Sequence, residues 1–326
     1  MSVYKPQMTI ITGCALDEDK YYVSVINDEI DFEIECCQMV LYDFKSDSWQ
    51  EHHNNMDWRA ESIAVQHVAH QWTFFAINTE GMIEAYSNGH VQYDEIKDAG
   101  IHKSNVFYGS INRIRSIENQ LFVCGSRGQI YRKTDDQWLH FDHGLLMQQY
   151  DITNVDKALL LDLDHQASLL DIYDVNMVNG EFYACGAHNQ GGFIATYFDD
   201  TWKKILNVDD GLLSMTRCPN GKDLIVCGDY GELYKGNAHD GFEKIILNGL
   251  TFYESAFYQH DLYFASTRGV FIYQENADFK RVEDIPEVEI NYIEQKGDVL
   301  WAVSFKHIFR FDGEKWAQIK HPFNDQ

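Results

Sequence analysis

The chain has 326 residues, 45% hydrophobic and 14% aromatic, enough to bury a large core and too apolar for disorder. Its 51 acidic residues against 26 basic ones leave a formal charge of -25, which repels nucleic-acid backbones and anionic membranes and steers basic partners inward. No stretch approaches the ~18 apolar residues of a membrane span, the N-terminal MSVYKPQMTIITG lacks a secretion signal, and no Pro/Ser/Gly-rich linker divides the chain, so a single cytoplasmic domain over 1–326 is expected.

Seven copies of one pattern follow one another. The first opens near Met8, continues through YYVSVIN from Tyr21, and carries a long acidic loop, NDEIDFEIECC, with Asp28, Glu29, Asp31, Glu33 and Glu35; it closes on SDSWQ at Trp49. The connection HHNNMDWRAE then presents Trp58. The second copy is SIAVQHV, WTFFAIN, a turn from Asn78 to Gly81, MIEAY and HVQYD with Tyr93; the third is SINRIRSI, LFVCG, a turn from Ser126 to Gly128, QIYRK and DDQWL with Trp138.

An insertion of about 25 residues, long against ordinary connections, spans roughly 143–168 before the fourth copy. It contains Tyr150, Asp151, Asp156, Asp162, Asp164 and His165, and DKALLLDLDH within it is compatible with a short helix or an added hairpin. The fourth copy is LLDIYDVNMV, FYACG, GFIATYF and DDTWK with Trp202. The fifth is LSMTRC, LIVCG, GDYG, ELYKG and HDGFE; the sixth YESAFY, LYFAS, STRG, VFIYQ and NADFK; the seventh VEINYIEQ, LWAVS, HIFRF and GEKWA with Trp316.

Each second segment runs apolar for about five residues, as a buried strand does. Turn glycines supply the positive φ that closes a hairpin. Four antiparallel strands repeated seven times predict an all-β, seven-bladed β-propeller of four-stranded antiparallel blades. Seven aromatics opening the fourth strands predict seven equivalent pockets. Blades one and seven each carry four strands of their own, so packing between the end blades is expected to replace strand exchange. Of 7 cysteines, Cys124, Cys185 and Cys227 share one strand position as small apolar fillers, and with no CxxC pair all are expected as reduced thiols.

At these residues the chain resembles BNR-like and YVTN-like bacterial repeat propellers, whose blades follow CGxxGxIYRxxxxxW. SDSW, TDDQW, FDDTW and FDGEKW keep only parts of a full Asp-box, and nine arginines with no grouping motif argue against a sialidase. Cytosolic propellers of this size and acidity are also similar to immunity proteins encoded beside polymorphic toxins; that resemblance implies a toxin domain as partner.

If first strands run downward, second-to-third loops and blade connections share the upper rim. The acidic loop, Trp58 and the insertion all belong to those two kinds of segment. Partner-binding residues are therefore expected at Asp28, Glu29, Asp31, Glu33, Glu35, Trp58, Tyr150, Asp151, Asp156, Asp162 and Asp164, facing a basic protein.

Catalytic motifs, cofactors and metal sites are not expected. His67 and His70 form an HxxH without a third ligand, His140 and His143 repeat that spacing, and the acidic loop lacks EF-hand spacing, leaving room only for a weak calcium site. The competing functions are a carbohydrate-active enzyme or lectin using Arg127, Asn189, Tyr230, Arg268 and Lys306 at the channel mouth, and a passive assembly scaffold.

Overall fold

The computed structural model describes residues 7–31, 34, 36–100, 106–147, 150–151, 170–245, 249–274 and 279–324. Seven four-stranded antiparallel sheets, each in simple sequence order, occupy 8–56, 62–95, 111–140, 170–208, 212–244, 252–281 and 290–320. Helix among the described residues is limited to single 3-10 turns at Asp229–Gly231 and Pro322–Asn324. The fold is a seven-bladed all-β propeller.

A bulge recurs in the first strand of six blades. The register shifts between Ile10 and Thr12, Ile111 and Arg113, Ile172 and Asp174, Leu212 and Ser214, Phe252 and Glu254, and Ile290 and Tyr292. Bulges increase local twist and re-aim side chains. Here they explain the repeated Cys-Gly. A Cβ on Gly125 would stand 2.3 Å from the Ser110 carbonyl oxygen, and one on Gly186 1.8 Å from that of Asp171. Glycine stands late in the second strand because the start of the first strand crosses directly against it. Cys124, Cys185 and Cys227 beside those glycines are buried as expected.

Contacts group the chain into two compact units, residues 1–60 with 250–326, and residues 61–249. In the first unit, blades one, six and seven bury apolar side chains between neighbouring sheets. Tyr21, Val23, Val25 and Val40 of blade one pack with Trp301, Val303 and Ile308 of blade seven. Each such side chain contributes about 1.5–3 kcal/mol. Trp301 is fully buried, its ring 5.3 Å from that of Tyr21. Backbone pairing adds Ile10 N–H to the Phe305 carbonyl at 2.8 Å, and Asn324 brackets Met8 through both its side-chain oxygen and nitrogen. The end blades meet by packing, each with its own four strands.

In the second unit, blades two to five are joined by the same kind of inter-blade core. Ile172, Ala184, Phe193 and Trp202 of blade four pack with Phe122, Cys124 and Ile130 of blade three. Across the same pair of blades runs Asp174, fully buried, held by Arg115 through two hydrogen bonds of 2.8 Å and by Arg113 at 3.3 Å. It also accepts the Val175 and Met215 N–H groups, so one carboxylate ties the first strands of blades three, four and five.

The fourth-strand aromatics form inter-blade contacts in several blades. Trp49 stands edge-on to His321 at the exit of blade seven, Trp138 donates to Asp94 at the exit of blade two, and Trp202 donates to the Phe141 carbonyl at the exit of blade three. Tyr93 departs from the expected pattern. It is 62% exposed, because Val91, opposite Tyr86, fills the register that Trp49 fills opposite Tyr42. The seventh aromatic of the sequence pattern is thus two residues out of phase.

Candidate protein-binding site

The long loop of blade one begins where its second strand ends at Asn27. Asn27 turns the chain by accepting the Glu29 N–H on its side chain and the Ile30 N–H on its carbonyl. A second turn follows, with Ile34 N–H bonded to the Asp31 carbonyl at 2.9 Å. Two short turns lift the loop off the sheet edge and leave Glu29, Ile30, Asp31 and Ile34 exposed. Beneath them is an open depression of about 450 Å³, lined by Ile26, Ile30, Ile34, Cys36 and Arg59 among others.

The carboxylates are not equivalent. Asp28 is ion-paired with Lys306, from the second-to-third turn of blade seven, and accepts the Thr9 hydroxyl at 2.6 Å. Lys306 also donates to Thr9 at 2.8 Å. Asp28 therefore spends its charge within the first unit, joining blade one to blade seven; Glu29 and Asp31 are exposed beside it. Glu33 and Glu35 lie outside the described residues.

Trp58 was expected at the surface as an anchor. It is only 9% exposed, and its carbonyl accepts the Cys37 thiol, so it supports the base of the loop. The exposed apolar groups are instead Ile30 at 39%, Ile34 at 56% and, on the blade-seven turn beside Lys306, Phe305 at 44%. None of the three is among the residues that the charge pattern singles out. The signal was present in IDFEIE, where apolar and acidic residues alternate, a pattern that on an irregular loop leaves some apolar groups in water.

In the second unit, Tyr150–Asp151 forms a two-residue strand antiparallel to Val106–Phe107, so the insertion pairs with the connection that precedes blade three. The start of the insertion is anchored: Met147 N–H reaches the Arg127 carbonyl at 2.9 Å, and the His143 carbonyl accepts from Trp202 N–H at 2.8 Å and the Thr201 hydroxyl at 3.1 Å. Asp156, Asp162, Asp164 and the DKALLLDLDH segment lie outside the described residues.

The basic groups expected at a channel mouth are each engaged or covered. Arg127 is 2% exposed, Arg268 is held by Glu287 at 2.6 Å, and Lys306 by Asp28. Among the histidines, His67 stacks on Trp72 with ring centroids 4.1 Å apart, His140 bonds to Asp142 at 2.9 Å, and His143 to the Asp200 carbonyl. Hydrogen bonding to Asp142 raises the His140 pKa against the opposing effect of burial. Among the described residues no group of three or more His, Cys, Asp or Glu side chains is placed to hold a metal ion.

No family model matches the chain. It is 22% identical over 328 residues to the Immune protein Tsi7 of Pseudomonas aeruginosa, an alignment covering 96% of this chain and 98% of that protein. Similar solved structures include the Cps50 (Swd1) β-propeller domain of Myceliophteria thermophila, with a TM-score of 0.59, 10% identity, and coverage of 93% of this chain and 94% of that one. The WD40 β-propeller domain of Doa1 gives a TM-score of 0.57 at 11% identity, covering 99% and 98% of the two chains. At such identities these structures show the fold alone. No helix among the described residues is long and apolar enough to cross a membrane.

Proposed function

We propose that this propeller is a non-catalytic protein-binding module of the immunity type, neutralising a basic toxin domain in the cytoplasm through the acidic rim of blade one. The observation that carries the reading is the end-to-end similarity to an immune protein, spanning nearly all of both chains. Support for the place comes from Ile30, Ile34 and Phe305, large apolar groups left in water beside Glu29 and Asp31. Apolar side chains supply the desolvated contact, and the carboxylates steer encounter and exclude acidic competitors. Tyr150 and Asp151, in the second unit, form a separate candidate contact.

The first test is coexpression with the product of each neighbouring gene in a heterologous host. Growth rescue by the native chain is expected, and a Glu29→Lys/Asp31→Lys/Ile34→Asp triple variant should lose it. Association of the purified pair should slow by about tenfold for the two charge reversals alone, and more at low salt than at high. Rescue by the triple variant as good as by the native chain would remove blade one from the interface. Failure of every neighbouring product to be toxic, or to bind, would remove the immunity reading itself.

A further inference from the structure

The second-to-third turns of blades three and five share one backbone shape and differ in what they do with the side chain. Arg127 and Tyr230 both sit at positive φ, 58° and 49°, each followed by a glycine. Arg127 is 2% exposed and lies under the start of the insertion, where its carbonyl takes the Met147 N–H. Tyr230 is 72% exposed, the largest exposure of any large hydrophobic side chain among the described residues.

The Tyr230 ring is not what holds its turn. Asp229 N–H bonds to the Gly211 carbonyl, Glu232 N–H to the Asp229 carbonyl, and Gly228 N–H to the Glu232 carbonyl, at 2.8–2.9 Å. Asparagine or glycine adopts this left-handed conformation with less steric conflict than a bulky aromatic. A tyrosine here carries a backbone penalty and leaves most of its ring in water.

Its surroundings are acidic. Asp229 precedes it, and one Asp229 carboxylate oxygen stands 3.0 Å from where a Cβ on Gly211 would be, the glycine that follows Asp209 and Asp210 in the chain. From blade four, Tyr173 reaches the same ground: burial first, then the charges of Asp171 and Asp229, push its hydroxyl up to about 12. The nearby Glu232–Lys244 pair, at 2.7 Å, is already matched.

We infer that Tyr230 is an anchor for a cationic side chain, arginine or lysine, on an exposed segment of a partner protein. An aromatic face attracts a cation through its quadrupole, and the negative field of an acidic surface favours guanidinium or ammonium over neutral or anionic groups. Charge complementarity selects a basic segment over a second copy of this acidic chain. The surface lies on blade five, and its test does not depend on the blade-one reading.

The test uses the full chain and a fluorescein-labelled hexa-arginine peptide, with hexa-lysine and hexa-glutamate counterparts, followed by anisotropy at physiological salt. Tyr230→Asn keeps the net charge and suits the backbone, so the general electrostatic field is unchanged while the ring is lost. Hexa-arginine affinity should fall about tenfold in Tyr230→Asn and stay within about twofold in Tyr230→Phe. The thermal midpoint of Tyr230→Asn should equal or exceed that of the native chain. Equal binding by Tyr230→Asn and the native chain would overturn the inference, because acidity alone would then account for binding. A lowered midpoint would assign the ring a structural role. Tyr230-dependent binding of a neutral oligosaccharide without hexa-arginine binding would assign the site to sugar.

Discussion

Two carboxylates on first strands do the same structural work in opposite electrostatic settings. Asp174 in blade four and Glu294 in blade seven each accept an N–H from the following blade, Met215 at 2.8 Å and Ala15 at 2.6 Å. Burial raises both pKa values. For Asp174, Arg115 and Arg113 outweigh that effect and hold the carboxyl below its ordinary range. For Glu294, the neighbouring Glu254 adds to burial, and the carboxyl is raised to about 7. A first-strand carboxylate is therefore part of a fixed ion cluster in one unit and a proton-binding site in the other, where Glu294 stands two residues beyond the register of Asp174.

Removing the fixed cluster has the largest expected effect. Asp174→Ala leaves two part-buried arginines and the Met215 N–H without their shared acceptor and should cost about 3–5 kcal/mol, read as a shift in the urea midpoint. Because the folded-state pKa of Asp174 is depressed, its contribution is complete above the ordinary aspartate range and is lost only as pH falls through the folded value.

Glu294 behaves in the reverse sense. Between its ordinary value of 4.5 and about 7 the folded chain binds a proton that the unfolded chain has released, so stability falls as pH rises through that window. Glu294→Gln should flatten this dependence, raising the thermal midpoint at pH 8 by a few degrees, about 1 kcal/mol, and leaving it unchanged at pH 4. A midpoint that does not move at pH 8 would show that Glu294 ionises without cost.

Smaller is the expected effect of Glu254→Gln. Removing one carboxylate should lower the Glu294 pKa, measurable by carbon NMR of the carboxyl, and shift the loss of protection to lower pH. Hydrogen exchange of peptides covering 8–15 and 290–296 should show that shift; peptides covering 111–117 and 170–178, around Asp174, should not.

Smallest, and opposite in sign, is His321. Burial against Trp49 lowers its pKa to about 4, so the folded chain resists protonation that the unfolded chain accepts. That contribution is present above 6.5 and is lost as pH falls toward 4. His321→Gln should weaken the acid-side loss in the first unit while leaving the alkaline side to Glu294.

Much of the fold was legible because its determinants are local. The second strands, the turn glycines and the order of four strands per repeat follow from apolar runs and from residues that tolerate positive φ. The site was legible in part. The acidic loop was found, but the sequence offered no sign that Asp28 is neutralised by Lys306, 278 residues away, since strand spacing says nothing about which blades become neighbours. Trp58 and Tyr93 were misjudged in opposite directions for a related reason: one is covered at the base of a loop, and the other stands two residues out of register.

By itself, then, the sequence determined the repeating sheet, because alternation and turn chemistry act within a few residues. The tertiary structure decided everything that depends on facing surfaces: which carboxylates are matched by arginine, which aromatic is buried and which stands in water, and where glycine must yield to a crossing strand. Those outcomes arise where folding brings side chains distant in the chain to within hydrogen-bonding range or leaves them in water, and a linear pattern does not encode that geometry.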